Sequence, residues 1–172
     1  MPEPPPPAGS PRSSTAIGHP FILWTQLEGA LDPPIRPLVE ALNATGWALT
    51  VFSCGGHPDE PDSVLRGRRQ AHVDVVVSDL GRWRRAIAAM KRQLRRDVRL
   101  TEGDLGQAPP WLQAHLPAHQ LGGARWSYRR LVFEPRPYDA PADAVRATLD
   151  AAISTALGVL AALQADTVSP AT

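Results

Sequence analysis

The residues best suited to chemistry are the chain's single cysteine, Cys54, and a histidine three positions later, His57. A neighbouring imidazolium lowers the pKa of a thiol and favours the thiolate, which attacks electrophiles and binds metal ions. Cys54 and His57 are therefore candidate catalytic residues. The alternative is a buried cysteine followed by a surface histidine, because free cysteine is among the most buried residue types.

Two glycines separate the thiol from the imidazole, and they end a strand-like run. Glycine lets the backbone approach a ligand closely and leaves N–H groups available for an anion. The pattern predicts a site for an anionic small molecule or a nucleotide-like ligand, with positive charge from arginines of the following loop. The candidate ligand-binding residues are Ser53, Gly55, Gly56, Arg66, Arg68, Arg69 and His72.

Metal binding is a second interpretation of the same histidine and cysteine. A Cys-x-x-His pair supplies two ligands, whereas a zinc site needs three or four. His72, His115 and His119 could complete the set, but Pro117 lies between the last two, so they do not form the one-face helical pair of metalloproteases. The sequence therefore predicts no metal site and names no cofactor.

The stretch Ile35-x-Pro-Leu-Val-x-x-Leu-Asn43, followed by Thr50-x-Phe-Ser-Cys-x-Gly56, resembles the leading part of the wybutosine-synthesis tRNA methyltransferase family. That family has a helix ending in a comparable Asn, then a strand running into a Ser-Ser-Cys-Ser-Gly-Arg turn. Here Phe52 and Gly55 replace two serines, and His57 stands in place of the arginine. Small bacterial proteins with a Ser-Cys-x-Gly-His turn look similar as well. The resemblance implies that Ser53, Cys54 and Gly56 line a ligand site.

Residues 66–99, which follow this segment, form a basic stretch. Eleven cationic residues face three acidic ones, Asp74, Asp79 and Asp97. Such a surface could bind phosphate groups, which makes RNA binding or RNA modification an alternative function. A solvated helix face is the favoured interpretation, because the basic face carries no aromatic residues that could stack on bases. The cations are Arg66, Arg68, Arg69, Arg82, Arg84, Arg85, Lys91, Arg92, Arg95, Arg96 and Arg99.

Periodicity indicates the elements that must position these residues. A run alternating Trp47, Leu49 and Val51 on one face predicts the strand that leads to Cys54. Asp79 is expected to cap a helix whose apolar stripe includes Trp83 and Ile87. The predicted elements are strands at Phe21–Thr25, Trp47–Ser53, Ala71–Ser78, Asp97–Glu102 and Arg125–Glu134, helices at Ile35–Asn43, Asp79 to about Leu94 and Pro141 to about Leu163, a polar loop at 55–70 and an irregular segment at 103–123.

This order predicts an α+β fold, ferredoxin-like or a related two-layer sandwich, with a mixed or antiparallel sheet of four to five strands and three helices. After Asp150 no charge appears until Asp166, so the last helix is apolar on more than one face. An apolar helix of this kind is buried or packed against a partner. A non-enzymatic protein that forms a homodimer through helix 141–163 is therefore an alternative function.

Composition sets outer limits on these interpretations. With 172 residues, 43% of them hydrophobic, and a net charge of +1, the chain suits one globular domain at 19–165. Residues 1–18 are rich in proline and serine and are expected to be disordered, and 166–172 to be flexible. One cysteine excludes an internal disulfide. The sequence shows neither a secretory signal nor a confident membrane span, so a cytoplasmic protein is expected.

Overall fold

Seven elements follow one another in the computed structural model, which describes residues 32–59, 69–107 and 126–168. The predicted strand Phe21–Thr25 and the predicted tail 1–18 lie outside these residues. The described elements are α1 (Arg36–Ala44), β1 (Ala48–Cys54), β2 (Ala71–Val77), α2 (Leu80–Gln93), β3 (Val98–Gln107), β4 (Ser127–Pro135) and α3 (Ala142–Val168).

The four described strands form one antiparallel sheet in the order β1-β2-β4-β3. β2 is an interior strand, as its β-branched run predicts. The larger core cluster joins one face of the sheet to all three helices, while a smaller cluster of Leu49, Val76 and Trp126 lies on the strands alone. This is the predicted α+β two-layer arrangement.

The finer ferredoxin-like prediction is loosely compatible with this sheet. In a βαββαβ unit the first strand lies between the third and fourth strands. Here β4, late in the chain, takes that central position between β2 and β3.

The strand that leads to the cysteine differs from its prediction in one respect. Leu49 and Val51 belong to the smaller cluster, as their alternation requires, but Trp47 precedes the strand and packs in the helix-side core. Its ring meets Trp83 edge to face, with 6.5 Å between the ring centroids. A register shift between Thr50 and Phe52 marks a bulge that sequence alternation does not reveal.

The helix α2 matches its prediction closely. Asp79 is the N-cap, and its side chain accepts a hydrogen bond from the Arg82 N–H at 2.9 Å. The stripe residues Trp83, Ile87 and Met90 are buried.

The third described strand is longer than predicted. β3 pairs with β4 as far as Gln107, so residues 103–107 are strand rather than the start of an irregular segment. The register shifts between Asp104 and Gly106, and the left-handed φ of +87° at Gly106 accommodates this irregularity.

The terminal helix α3 also runs further than predicted, so residues 166–168 are helical. Its buried residues, among them Val145, Leu149 and Leu160, pack into the helix-side core. Among the described elements, α3 alone is long and apolar enough to cross a membrane, a property that core helices of soluble proteins share.

Candidate functional site

The predicted turn is folded against a residue that precedes α1. The backbone N–H of Gly55 donates a 2.8 Å hydrogen bond to Asp32 Oδ2. Asp32 in turn begins the turn that leads into α1, because its carbonyl oxygen accepts from the N–H groups of Ile35 and Arg36. The carboxylate therefore sits directly beside the end of β1.

Both glycines of the turn are required by close packing. A Cβ added to Gly55 would lie 3.2 Å from the Asp32 Cβ. At Gly56 it would lie 3.0 Å from the Gln70 carbonyl oxygen and 3.1 Å from the Leu149 side chain. Gly56 also has a left-handed φ of +77°, a backbone conformation that residues with a Cβ rarely adopt. A side chain at either position would therefore require the turn or its neighbours to shift.

An arginine on the terminal helix clamps this turn from the other side. The guanidinium of Arg146 donates to the carbonyl oxygens of Gly55 at 3.0 Å and Gly56 at 2.6 Å. Both glycines are buried, so these hydrogen bonds satisfy carbonyls that have little access to water.

The result is a cluster of three potential metal ligands. The Cys54 sulfur, a His57 ring nitrogen and an Asp32 carboxylate oxygen all lie within 4.8 Å of one another. His57 Nε2 and Asp32 Oδ2 are 3.3 Å apart. These two side chains are 40% and 32% exposed, so a solute can reach the cluster.

The state of the thiol departs from the sequence-based expectation. Of the two interpretations that the sequence leaves open, the catalytic one requires a thiol pKa lowered by a neighbouring imidazolium. Burial instead raises the pKa of Cys54 above its ordinary value of 9.0, and the Asp32 carboxylate adds to the increase by charge and by a hydrogen bond. The Gly56 N–H, which bonds the sulfur, acts in the opposite direction. The metal-free site therefore holds a neutral thiol at neutral pH, a weak nucleophile.

The turn also has few donors to offer an anion. The Gly55 N–H bonds the Asp32 carboxylate and the Gly56 N–H bonds the sulfur, so both are already engaged. The Asp32 carboxylate lies where the sequence predicts an anionic ligand, and its negative charge attracts cations rather than anions.

Of the remaining candidate ligand residues, Ser53, Arg69 and His72 are described, and none of them belongs to the three-residue cluster. Arg69 donates to the carbonyl oxygens of Tyr138 and Ala140, both at 2.7 Å, and so holds the loop before α3. His72 pairs with Cys54 in the strand register, but its ring contacts Phe52, and burial lowers its pKa. The Ser53 hydroxyl is buried without a hydrogen-bond partner among the described residues. Arg66 and Arg68 lie outside the described residues.

Sequence reasoning missed two residues of the site. Asp32 precedes two prolines and lies 22 residues before Cys54, and no motif in the sequence connects the two. Arg146 gave a better signal, since it is the only basic residue of α3. As the single cation of a largely apolar helix it is a candidate for a specific contact, and here its partners are two backbone carbonyls.

A cavity lies at the opposite end of β1 and does not include the cluster. Its volume is about 270 Å³, and it is lined by Thr45, Trp47, Arg82, Arg85, Leu160, Leu163, Gln164 and Asp166. None of the candidate residues around Cys54 reaches it, so the candidate site is the surface turn and not this cavity.

Comparison with protein-family models, curated proteins and solved structures finds no match for the chain. The resemblance of residues 35–56 to tRNA methyltransferases therefore stays a prediction.

Proposed function

We propose that the chain binds a divalent transition-metal ion, of which zinc is the best fit, through Asp32, Cys54 and His57. The observation that carries the proposal is the convergence of one carboxylate, one thiol and one imidazole at the end of β1. Carboxylate, thiolate and imidazole are the three ligand types that zinc uses in proteins.

The spacing of the two harder ligands supports this choice. Two ligands at about 2.0 Å from a tetrahedral zinc lie roughly 3.3 Å apart, and His57 Nε2 and Asp32 Oδ2 are 3.3 Å apart. A nitrogen–sulfur edge measures about 3.5 Å, whereas the cluster extends to at most 4.8 Å. Closing the site around an ion therefore requires side-chain movements of roughly 1 Å or less.

Protonation also supports a cation at this position. In the metal-free site the carboxylate accepts a hydrogen bond from the thiol, and desolvation keeps that thiol neutral. A bound divalent cation would displace this proton to solvent, and the thiolate and the carboxylate would then both coordinate the ion. The Gly56 N–H that bonds the sulfur would then stabilise the thiolate ligand.

Three protein ligands leave a coordination position open. Catalytic zinc sites have this composition, with water or substrate as the fourth ligand. The predicted anionic small molecule would bind here as that ligand, which reconciles anion binding with an acidic site. Arg146 and the two glycines would act as the support that fixes Cys54 and His57 in position.

The test is metal titration of the full chain with zinc, followed by isothermal calorimetry, and with cobalt, followed by its thiolate charge-transfer absorption. We expect one ion per chain. Asp32→Asn, Cys54→Ser and His57→Gln should each weaken binding by about 100-fold or more, above the loss typical of outer-shell residues. Asp32→Asn is the sharpest variant, because the amide oxygen can still accept from the Gly55 N–H.

Two neighbouring residues of the same types provide matched controls. His72→Gln and Asp59→Asn remove an imidazole and a carboxylate outside the cluster, and should leave the affinity unchanged. Equal zinc affinity in the wild type and Asp32→Asn, or a cobalt spectrum without a thiolate band, would contradict the proposal.

A second candidate function, homodimerisation, is supported by the outer face of α3. Small uncharged residues recur there at alternating intervals of four and three, the spacing of a helix-pairing seam. All of them are exposed: Ala147, Ala151, Ser154, Gly158, Ala161 and Ala165. Small side chains allow two helices to approach closely. We propose that this seam pairs with the same seam of a second copy.

Sedimentation equilibrium tests this dimer. Ala151→Arg places a charge in the seam and should convert the dimer to monomer. Ala88→Arg, the same change on the exposed face of α2, should leave the mass unchanged. A wild-type chain that stays monomeric at high micromolar concentration would contradict the second candidate.

A further inference from the structure

The outer face of α2 carries an accumulation of positive charge that the metal site does not use. Its helix contains no acidic residue. The exposed cations on this face and in the turn after it are Arg84, Arg85, Lys91, Arg92, Arg95 and Arg96, of which Arg85 also lines the cavity beside α3. We call this surface the basic face.

Most of these cations are not neutralised by the described part of the chain. Asp79 and Asp97, which flank the helix, pair with Arg82 at 3.4 Å and Arg95 at 2.9 Å. No described carboxylate lies within ion-pair distance of the other five cations of the basic face. Their charges are therefore free to act on a ligand in solution.

The charge is also unevenly distributed over the molecule. The chain's net charge is only +1, so the surplus on the basic face is balanced by acidic residues elsewhere. Exposed carboxylates lie on α1 and α3, for example Glu40, Asp143 and Asp150. A protein polarised in this way orients a polyanion toward one face rather than binding it everywhere.

The surroundings of the basic face favour one of two common polyanions, a nucleic acid or an anionic membrane. A helix that binds an anionic membrane inserts its apolar side, and that of α2 (Trp83, Ile87 and Met90) is buried in the core. Between the cations the exposed residues are Ala88 and Gln93, and neither is aromatic. The face therefore suits a nucleic-acid backbone better than a lipid surface.

The absence of exposed aromatic residues on the basic face further favours a duplex. Single strands are bound largely by stacking bases on aromatic side chains, which this face lacks. The pair Arg84 and Arg85 and the pair Lys91 and Arg92 are seven residues apart, about 10 Å along the helix. That separation is comparable to the roughly 12 Å width of the B-DNA major groove. Guanidinium groups also bind phosphate through two parallel hydrogen bonds.

We propose that the basic face of α2 binds the phosphate backbone of double-stranded nucleic acid, without reading its sequence. The side chains that contact phosphates are those of the two pairs and of Arg96. This binding does not depend on the metal site, and it would stand if no metal bound to Asp32, Cys54 and His57.

Fluorescence anisotropy of labelled 20-bp duplexes, one DNA and one RNA, tests the proposal across a series of salt concentrations. Four to five phosphate contacts predict a slope of about −4 in log K against log salt concentration. The double variant Arg84→Gln/Arg92→Gln should reduce the slope by about 2 and weaken binding at least tenfold at low salt. The DNA and RNA arms identify which duplex is preferred.

The matched control makes the same change of charge elsewhere on the surface. Arg36 and Arg136 are exposed and lie outside the basic face, so Arg36→Gln/Arg136→Gln should keep the wild-type slope. The proposal is overturned if the two double variants behave alike, if binding is insensitive to salt, or if a single strand of the same length binds more tightly. Binding to phosphatidylserine vesicles without binding to duplexes would also overturn it, in favour of a membrane surface.

Discussion

The neutral thiol of Cys54 makes the stability of the metal-free protein sensitive to alkaline pH. Its folded-state pKa is raised above 9.0, mainly by burial and then by Asp32. A raised pKa gives stability that is fully present below the unfolded value and is lost as pH rises through the folded value. We therefore expect the free energy of unfolding to fall as pH increases above about 9.

Urea denaturation in the presence of a chelator, at a series of pH values, measures this effect. Cys54→Ser should flatten the decline, because its hydroxyl does not titrate in this range. The comparison is cleanest below pH 10, since the pKa values of Tyr128 and Tyr138 are also raised, from 10.0, and add losses of the same sign at higher pH. An unchanged decline in the serine variant would contradict the assignment.

At Gly56 the backbone conformation and the packing act together. In Gly56→Ala the alanine must adopt a left-handed φ, which costs about 1–2 kcal/mol. Its Cβ would also lie too close to Gln70 and Leu149. Overpacking of this kind adds about 1–3 kcal/mol. We expect a total loss of about 2–5 kcal/mol in the free energy of unfolding.

A second glycine separates the two causes. Gly106 has a φ of +87°, but a Cβ there would meet nothing within 4 Å. Gly106→Ala should therefore show the conformational cost alone, about 1–2 kcal/mol. Equal losses at Gly56 and Gly106 would mean that the turn relaxes around the added methyl group.

At the scale of elements, Arg146 connects the terminal helix to the turn that holds Cys54. Arg146→Met keeps the aliphatic stem but leaves two buried carbonyls without their charged donor. Hydrogen bonds to charged groups contribute about 1.5–3 kcal/mol each, and partial exposure brings the expected total loss to about 2 kcal/mol. Zinc affinity should fall roughly tenfold, as for other supporting residues of metal sites.

Arg84→Met provides the control for this change, because Arg84 is exposed on α2 and lies outside the site. Stability is read from urea denaturation and affinity from calorimetry on the same samples. If Arg146→Met lost stability but kept full zinc affinity, the clamp would support only the fold.

The elements themselves are predictable from sequence where local signals agree. In α2 the cap at Asp79 and the stripe of Trp83, Ile87 and Met90 both indicate the same helix, and the structure has it within one residue of its predicted bounds. Trp47 shows the limit of periodicity. It continues the alternation of Leu49 and Val51, yet it precedes the strand and packs on the helix side.

Only part of the candidate site can be predicted from the sequence. Cys54 and His57 are neighbours in sequence, so their proximity follows from local structure. Asp32 and Arg146 meet the same turn from distant parts of the chain, and their positions depend on how α1 and α3 pack on the sheet. No local pattern encodes that packing, and this is why the sequence predicts no metal site where the structure brings three potential metal ligands together.

At the scale of the whole molecule, the site joins segments that are far apart in the chain. Asp32 lies before α1, Cys54 ends β1, and Arg146 belongs to α3, the last described helix. The basic face lies on α2, which takes no part in this cluster. Metal binding and duplex binding are thus proposed for different elements of the fold, and a variant in one site should leave the other unaffected.

This long-range construction predicts that zinc stabilises the whole fold. An ion that binds only the folded chain adds about 2.7 kcal/mol at a concentration 100 times Kd, which corresponds to a rise in Tm of about 5–10 °C for a domain of this size. Thermal unfolding should shift upward with zinc concentration and return to its starting value with a chelator. Magnesium, which prefers six oxygen ligands, should have no effect. Asp32→Asn should lose the zinc-dependent rise in Tm, because it removes one ligand. The variant keeps the hydrogen bond from the Gly55 N–H, so the turn itself should be unchanged. An equal rise in Tm in this variant would mean that zinc binds elsewhere.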